Sequence, residues 1–236
     1  MTEQHHPVCY VYAHGWGVDS TLWQEMAPWP HAHGTRALFY ERGYFGMPSP
    51  DVRSVIKACA ETHKVVAVGH SFGLCRLLRL SKTWWHGVVS ISGMLCLPSK
   101  DDNPCGVRPS LLTASLSRLR ASPMAMLRDF YAYCGVEGRA LPSHEESVMP
   151  LLEEDFKDIQ TADERMAWQQ LLARGVPCLC LWADDDKVVP SSLSQAHMTG
   201  DGVLCHRWHD GGHMLPFTKP LECRQHIQTF MRTMVI

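Results

Sequence analysis

The side chains best placed to do chemistry together are a serine, an aspartate and a histidine, met in that chain order. The serine is Ser71, inside Val65-Val66-Ala67-Val68-Gly69-His70-Ser71-Phe72-Gly73. β-Formers lead into the turn and the helix-permissive stretch Leu74 to Leu80 leaves it, the strand–turn–helix setting that a sharply exposed nucleophile needs. Gly69 and Gly73 carry no β-carbon, so strand and helix can approach closely around the serine. The hydroxyl is then lifted out of the sheet, and the N–H of Phe72 faces the same point in space. Gly-x-Ser-x-Gly alone also describes a glycine-rich turn with a solvated serine. The catalytic reading therefore depends on a base, an acid and oxyanion donors elsewhere in the chain.

Candidates for all three follow apolar runs. After Val8 to Ala13 comes His14-Gly15-Trp16-Gly17. Its glycines allow a tight turn that would aim the Trp16 N–H at the site, where it would join the Phe72 N–H as an oxyanion hole. The alternative is a plain turn with Trp16 in the core. After Cys178 to Trp182 comes Ala183-Asp184-Asp185-Asp186-Lys187-Val188-Val189-Pro190. A carboxylate here would hold the histidine tautomer and stabilise the imidazolium that forms. Three adjacent Asp leave the choice of acid open here, two of the three belonging to a solvated acidic turn. After the last run comes Asp210-Gly211-Gly212-His213-Met214-Leu215-Pro216. His213, on a glycine loop, is placed to reach back to Ser71, with His209 as a competitor nearer the strand.

The elements that must position these groups are legible as alternating patterns. Strands are predicted over Val8 to Ala13, Ala37 to Tyr40, Val65 to Gly69, Gly87 to Ser92, Cys178 to Trp182 and Val203 to Trp208. Helices are predicted over Asp51 to His63 and Phe72 to Leu80. Such alternation indicates an α/β fold with a mostly parallel sheet and helices on both faces, whose active sites lie at the carboxyl ends of the strands. The alternation breaks between Pro98 and Leu172. There Leu111, Leu112, Leu116 and Leu119, then Met126, Leu127 and Phe130, recur at helical steps, punctuated by Pro98, Pro104, Pro109, Pro123, Pro142 and Pro150. We read residues 98–172 as a helical lid inserted after the sixth sheet strand, and 1–97 with 173–236 as the core.

Composition narrows the function classes. A chain of 236 residues with a net charge of −2 suits one domain with an inserted subdomain and carries no electrostatic sign of nucleic-acid binding. No apolar run reaches the ~18 residues that span a membrane. Met1 to Pro7 lacks the features of a signal peptide, so a cytoplasmic address is expected. Cys9, Cys59, Cys75, Cys96, Cys178, Cys180 and Cys205 fall in apolar runs, as free buried thiols do. The 14 His show no ligand spacing. No metal and no cofactor are expected.

Taken together, the chain resembles the α/β-hydrolases and, within them, the family of pimeloyl-acyl-carrier-protein methyl ester esterases of biotin synthesis. The likeness rests on His14-Gly15-Trp16-Gly17 with Trp23, on Gly69 to Gly73, on Leu181 to Pro190, and on His213 with Pro216-Phe217 and Pro220 to Cys223. More loosely it includes Gly106 to Pro109 and Phe130. In many hydrolases of this fold the acid lies four residues before the Pro of a Val-Pro pair, which makes Asp186 the expected acid and Asp185 the next choice. The resemblance implies a Ser71–His213–Asp186 triad, Trp16 and Phe72 as oxyanion donors, and an acyl-enzyme formed from a carrier-linked methyl ester. It implies acyl carrier protein as the partner; apart from the resemblance, no nucleic-acid or membrane partner and a monomeric chain are expected. Phe130, with Met124, Met126 and Leu127, would line an acyl channel, or would simply pack the lid onto the core. Arg108, Arg118, Arg120, Arg128 and Arg139, set against Asp129 and Glu137, would suit an acidic carrier or form an ordinary solvated face. The chain departs from the family at His70, where Trp is usual, and at Glu41, where such hydrolases commonly carry Asp. A small-molecule carboxylesterase or lactonase and a non-catalytic binding protein of the same fold are the alternatives.

Overall fold

The computed structural model describes residues 7–26, 34–136 and 149–234. Glu137, Arg139 and Pro142 lie outside the described residues. Six strands form one sheet: β1 (Val8–Ala13), β2 (Arg36–Tyr40), β3 (Lys64–His70), β4 (Trp85–Ile91), β5 (Cys178–Ala183) and β6 (Val203–Trp208). Their order is β2-β1-β3-β4-β5-β6, and every neighbouring pair is parallel. The chain runs outward from β1 to β2, then returns to β3 on the other side of β1. The carboxyl ends of β1 and β3 therefore flank the point where the winding reverses, the crevice in which sheets of this kind hold ligands.

The inner strands are largely apolar because both faces are covered. Cys9, Val11, Val65, Ala67, Cys178 and Cys180 point to one layer, and Tyr10, Tyr12, Val66, Val68, Leu179 and Leu181 to the other. In the first layer lie the apolar sides of α1 (Val52–Ala60), α2 (Phe72–Leu80) and α6 (Arg165–Ala173), through Ile56, Leu77 and Trp168. On the opposite layer pack α9 (Pro220–Thr233), through Ile227 and Phe230, and α7 (Ser191–His197), through Leu193. Each large apolar side chain buried in this way contributes about 1.5–3 kcal/mol relative to exposure.

The inserted segment follows the fourth strand of the sheet, not a sixth, since only four of the predicted strand runs precede it. It divides in two. Helices α3 (Pro109–Ala121), α4 (Pro123–Tyr133) and α5 (Met149–Ile159) bury Leu112, Leu116, Leu127 and Leu152 over the carboxyl ends of the strands, whereas α6 turns away to the opposite layer. Pro109 and Pro123 open α3 and α4, where the missing N–H costs nothing. One thiol departs from expectation. Cys205 is exposed, because β6 is an edge strand whose outer positions meet solvent. Among the described residues no helix is long and apolar enough to cross a membrane.

Candidate active site

Ser71 sits between β3 and α2 with φ 53° and ψ −127°, backbone angles that a non-glycine residue adopts only where its surroundings impose them. Those surroundings are close. The Ser71 N–H donates to the Ile91 carbonyl at the end of β4, at 3.1 Å. A β-carbon at Gly69 would lie 2.5 Å from Leu74 Cα, and one at Gly73 only 2.1 Å from the Ala13 carbonyl oxygen. The two glycines thus let α2 start hard against β3 and β1, which tips Ser71 out of the sheet.

His213 Nε2 lies 3.0 Å from Ser71 Oγ and Nδ1 2.8 Å from Asp186 Oδ2. With Nδ1–H donating to the carboxylate, Nε2 is left to accept the serine proton. Asp186 is fixed in turn, because its other oxygen accepts the N–H groups of Val188 at 2.8 Å and Val189 at 2.9 Å. The adjacent acids have different partners. Asp185 accepts from the Gly212 N–H at 2.8 Å, which anchors the loop carrying His213. Asp184 pairs with Arg207 and with His209, and His209 is 95% exposed on its side chain, far from any relay. Ser71, His213 and Asp186 are themselves buried.

The turn Gly15-Trp16 lies beside the serine, close enough that a β-carbon at Gly15 would be 2.9 Å from Ser71 Cβ. Among the described residues neither the Trp16 nor the Phe72 N–H has a hydrogen-bond partner. For Phe72, the first residue of α2, this is the free donor of a helix start. The Trp16 ring is committed elsewhere: its Nε1–H donates to the Leu152 carbonyl at 2.8 Å, and its faces meet Phe130 and Phe156 edge-on.

Two residues that depart from the resembled pattern have clear roles in packing. Glu41 accepts from His14 Nε2 at 2.9 Å and from the N–H groups of Ser20 and Gly43. Burial pushes its carboxyl up, but His14 and these N–H groups outweigh it and hold it down at about 2. His70 lies beneath His213, with Nε2–H donating to the His213 carbonyl at 3.0 Å. Burial first, then the His213 ring, keeps His70 well below the usual histidine range.

Ser71 opens into a cavity of about 480 Å³ between core and lid. Met94, Leu97, Leu112, Met126, Phe130, Phe156 and Ile159 line it, with Arg118, Asp129 and Lys187 among the polar lining groups. Of the expected channel residues, Met126 and Phe130 reach the cavity, whereas Leu127 is fully buried in the core and Met124 is 41% exposed. The sequence reading missed Phe156 and Ile159, since an apolar residue at helical spacing looks the same whether it faces a core or a cavity, and Leu97, which lies in the irregular stretch between β4 and α3. Lid charge is partly spent internally: Arg118 pairs with Asp129 and Arg120 with Glu153.

A model of the alpha/beta hydrolase family matches residues 10–225. No curated protein matches this chain in sequence. Among solved structures, a bromoperoxidase from Bacillus anthracis superposes with a TM-score of 0.76 at 20% identity, over 96% of this chain and 92% of that one. An esterase from Thermogutta terrifontis superposes at 0.68 and 16% identity, over 98% and 91%. One from Exiguobacterium antarcticum does so at 0.66 and 17%, over 96% and 91%. At these identities the similarity is one of fold.

Proposed function

The chain belongs to the alpha/beta hydrolase family, and from that premise we propose that it is a serine carboxylesterase acting on the methyl ester of a carrier-linked acyl chain. The observation that carries the reaction class is the hydrogen-bonded line Ser71–His213–Asp186 at the mouth of an apolar cavity. In this reading His213 takes the Ser71 proton as Oγ attacks the ester carbonyl, and Asp186 stabilises the imidazolium. The Trp16 and Phe72 N–H groups receive the oxyanion, each worth about 3–4 kcal/mol where such a donor has been removed. His213 then protonates the departing alcohol, and water, deprotonated by the same ring, releases the acid.

The substrate reading rests on the resemblance to pimeloyl-acyl-carrier-protein methyl ester esterases and on the cavity, whose walls suit a hydrocarbon chain. Acyl carrier protein is the partner this implies. A general small-ester hydrolase is the second reading. The pairing of Arg118 and Arg120 within the lid favours it, because paired guanidiniums have less to offer an acidic partner. Hydrolysis of pimeloyl-acyl-carrier-protein methyl ester, beside p-nitrophenyl butyrate and with Ser71→Ala as control, tests both. Much higher kcat/KM on the carrier-linked ester is expected. Cleavage of the small ester alone would leave the general esterase, and turnover surviving in Ser71→Ala would overturn the mechanism.

A further inference from the structure

The turn that carries one proposed oxyanion donor is held chiefly by the lid. Trp16 Nε1–H donates to Leu152 of α5, the Tyr131 hydroxyl of α4 donates to the Gly17 carbonyl, and Phe130 and Phe156 each meet the Trp16 ring at 5.2 Å between centroids. Beneath this contact lies a buried charged cluster that the ester chemistry does not use. Arg76, one turn into α2 from Ser71, sends Nη1 to the His14 carbonyl at 3.4 Å and lays its guanidinium over the Phe72 ring at 5.0 Å. Its Nη2 donates to Asp155 of α5 at 2.7 Å and to the Tyr44 hydroxyl. Asp155 also accepts from Arg42 at 2.8 and 3.0 Å and from Tyr44. Arg76 and Asp155 are 8% and 5% exposed.

We propose that the lid is a structural part of the oxyanion hole, with Arg76 and Asp155 as the positioning pair that ties one to the other. A buried guanidinium stays where its carboxylate is, and the planar fork fixes its direction. The lid carboxylate thus sets the place of Arg76. Arg76 in turn bears on the His14 carbonyl and the Phe72 ring, which flank the two N–H donors. Neither residue touches the reacting atoms. A shift of α5 would instead be felt as a misplaced oxyanion site, and misplacement on the order of 1 Å costs about 100-fold in rate. The inference rests on the reading of Trp16 and Phe72 as oxyanion donors.

The test is the triple variant Tyr44→Phe/Arg76→Met/Asp155→Leu, which leaves no buried hydroxyl without its partners and leaves the partly exposed Arg42 on Glu154, since apolar replacement of a whole buried ion pair leaves stability about unchanged or raised. Steady-state kinetics on p-nitrophenyl butyrate would be measured with hydrogen exchange at amide and indole N–H groups. The expected result is a folded protein whose kcat falls on the order of 10- to 100-fold with KM little changed, and faster exchange of the Trp16 indole N–H, which donates to Leu152, together with α5. Arg76→Lys keeps the charge beside Asp155 but not the second nitrogen, and should retain an intermediate kcat. Should the triple variant not fold, Asp155→Asn is read by the same criteria. A folded variant with wild-type kcat, or faster exchange in α5 that leaves the Trp16 indole N–H protected, overturns the proposal. If the unaltered protein cleaves no ester, the esterase reading falls, while the exchange result still decides whether lid and turn are coupled.

Discussion

Asp184, Asp185 and Asp186 are identical in type and consecutive in sequence, yet each has its own partner, so substitution to Asn should separate them. Asp186→Asn keeps the shape but presents an amide to His213 Nδ1, favouring the wrong tautomer, and kcat on p-nitrophenyl butyrate should fall by about 10³–10⁴. Asp185→Asn leaves an oxygen that can still accept the Gly212 N–H, so a loss of about tenfold or less is expected. In Asp184→Asn, where only an exposed pairing with His209 and Arg207 is lost, kcat should be unchanged. Equal losses at Asp185 and Asp186 would reassign the acid. His70 offers a test of a different kind. Because its folded form binds a proton less readily than the unfolded chain, stability should fall as pH drops below about 6.5. His197, His206 and His226 are shifted the same way by burial, so the informative quantity is a difference. The thermal midpoint of His70→Gln should decline less between pH 7 and 5 than that of the unaltered protein. Glu41, held down at about 2, is lost from the balance only below about pH 4.3, which keeps the two windows apart. Parallel declines would mean that His70 takes up its proton without cost.

At the scale of elements, the tight start of α2 is the sharpest constraint. Gly73→Ala would bring a β-carbon to 2.1 Å from the Ala13 carbonyl oxygen, and backbone cannot yield as a side-chain tip does. Destabilisation of more than about 3 kcal/mol is expected, read as a lower denaturant midpoint, with whatever folds showing reduced ester turnover because the turn after β1 and the start of α2 carry the two proposed oxyanion donors. An unchanged midpoint would mean that α2 can back away from β1. This part of the fold was legible in the sequence for a physical reason. A strand covered on both faces must be apolar throughout, so β1, β3 and β5 stand out, and glycines at the turn mark where chains touch. Edge strand β6 was found as a strand by its short run of apolar, β-branched and aromatic residues, but the exposure of Cys205 depends on what lies beside it, which no local pattern carries. The lid's position after β4 was misnumbered although four predicted strand runs already precede Pro98 in the sequence. Pairs such as Arg76–Asp155, 79 residues apart, leave no trace in spacing. The choice between Asp186 and Asp185 likewise turned on loop geometry, with only the distance to Pro190 as a sequence signal.

For the molecule as a whole, the cavity between lid and core sets what the proposed esterase can accept. Its apolar walls gain about 0.8 kcal/mol for each methylene removed from water, roughly a fourfold gain in kcat/KM per carbon. That gain can continue only while the chain still finds wall, and about 480 Å³ lies within the range of small-molecule sites. Across p-nitrophenyl esters from acetate upward, kcat/KM should rise steeply and then level off as the cavity fills. Leu111 allows the limit to be moved. It lines the cavity yet is 49% exposed, so Leu111→Trp can add volume on the cavity side without overpacking a closed core. The variant should keep its thermal midpoint and its rate on the shortest esters, and reach its plateau at a shorter chain. A profile that is flat in both proteins would place the acyl group outside this cavity, whereas an unmoved plateau would show that the chain runs along the Phe156 and Ile159 wall and away from α3.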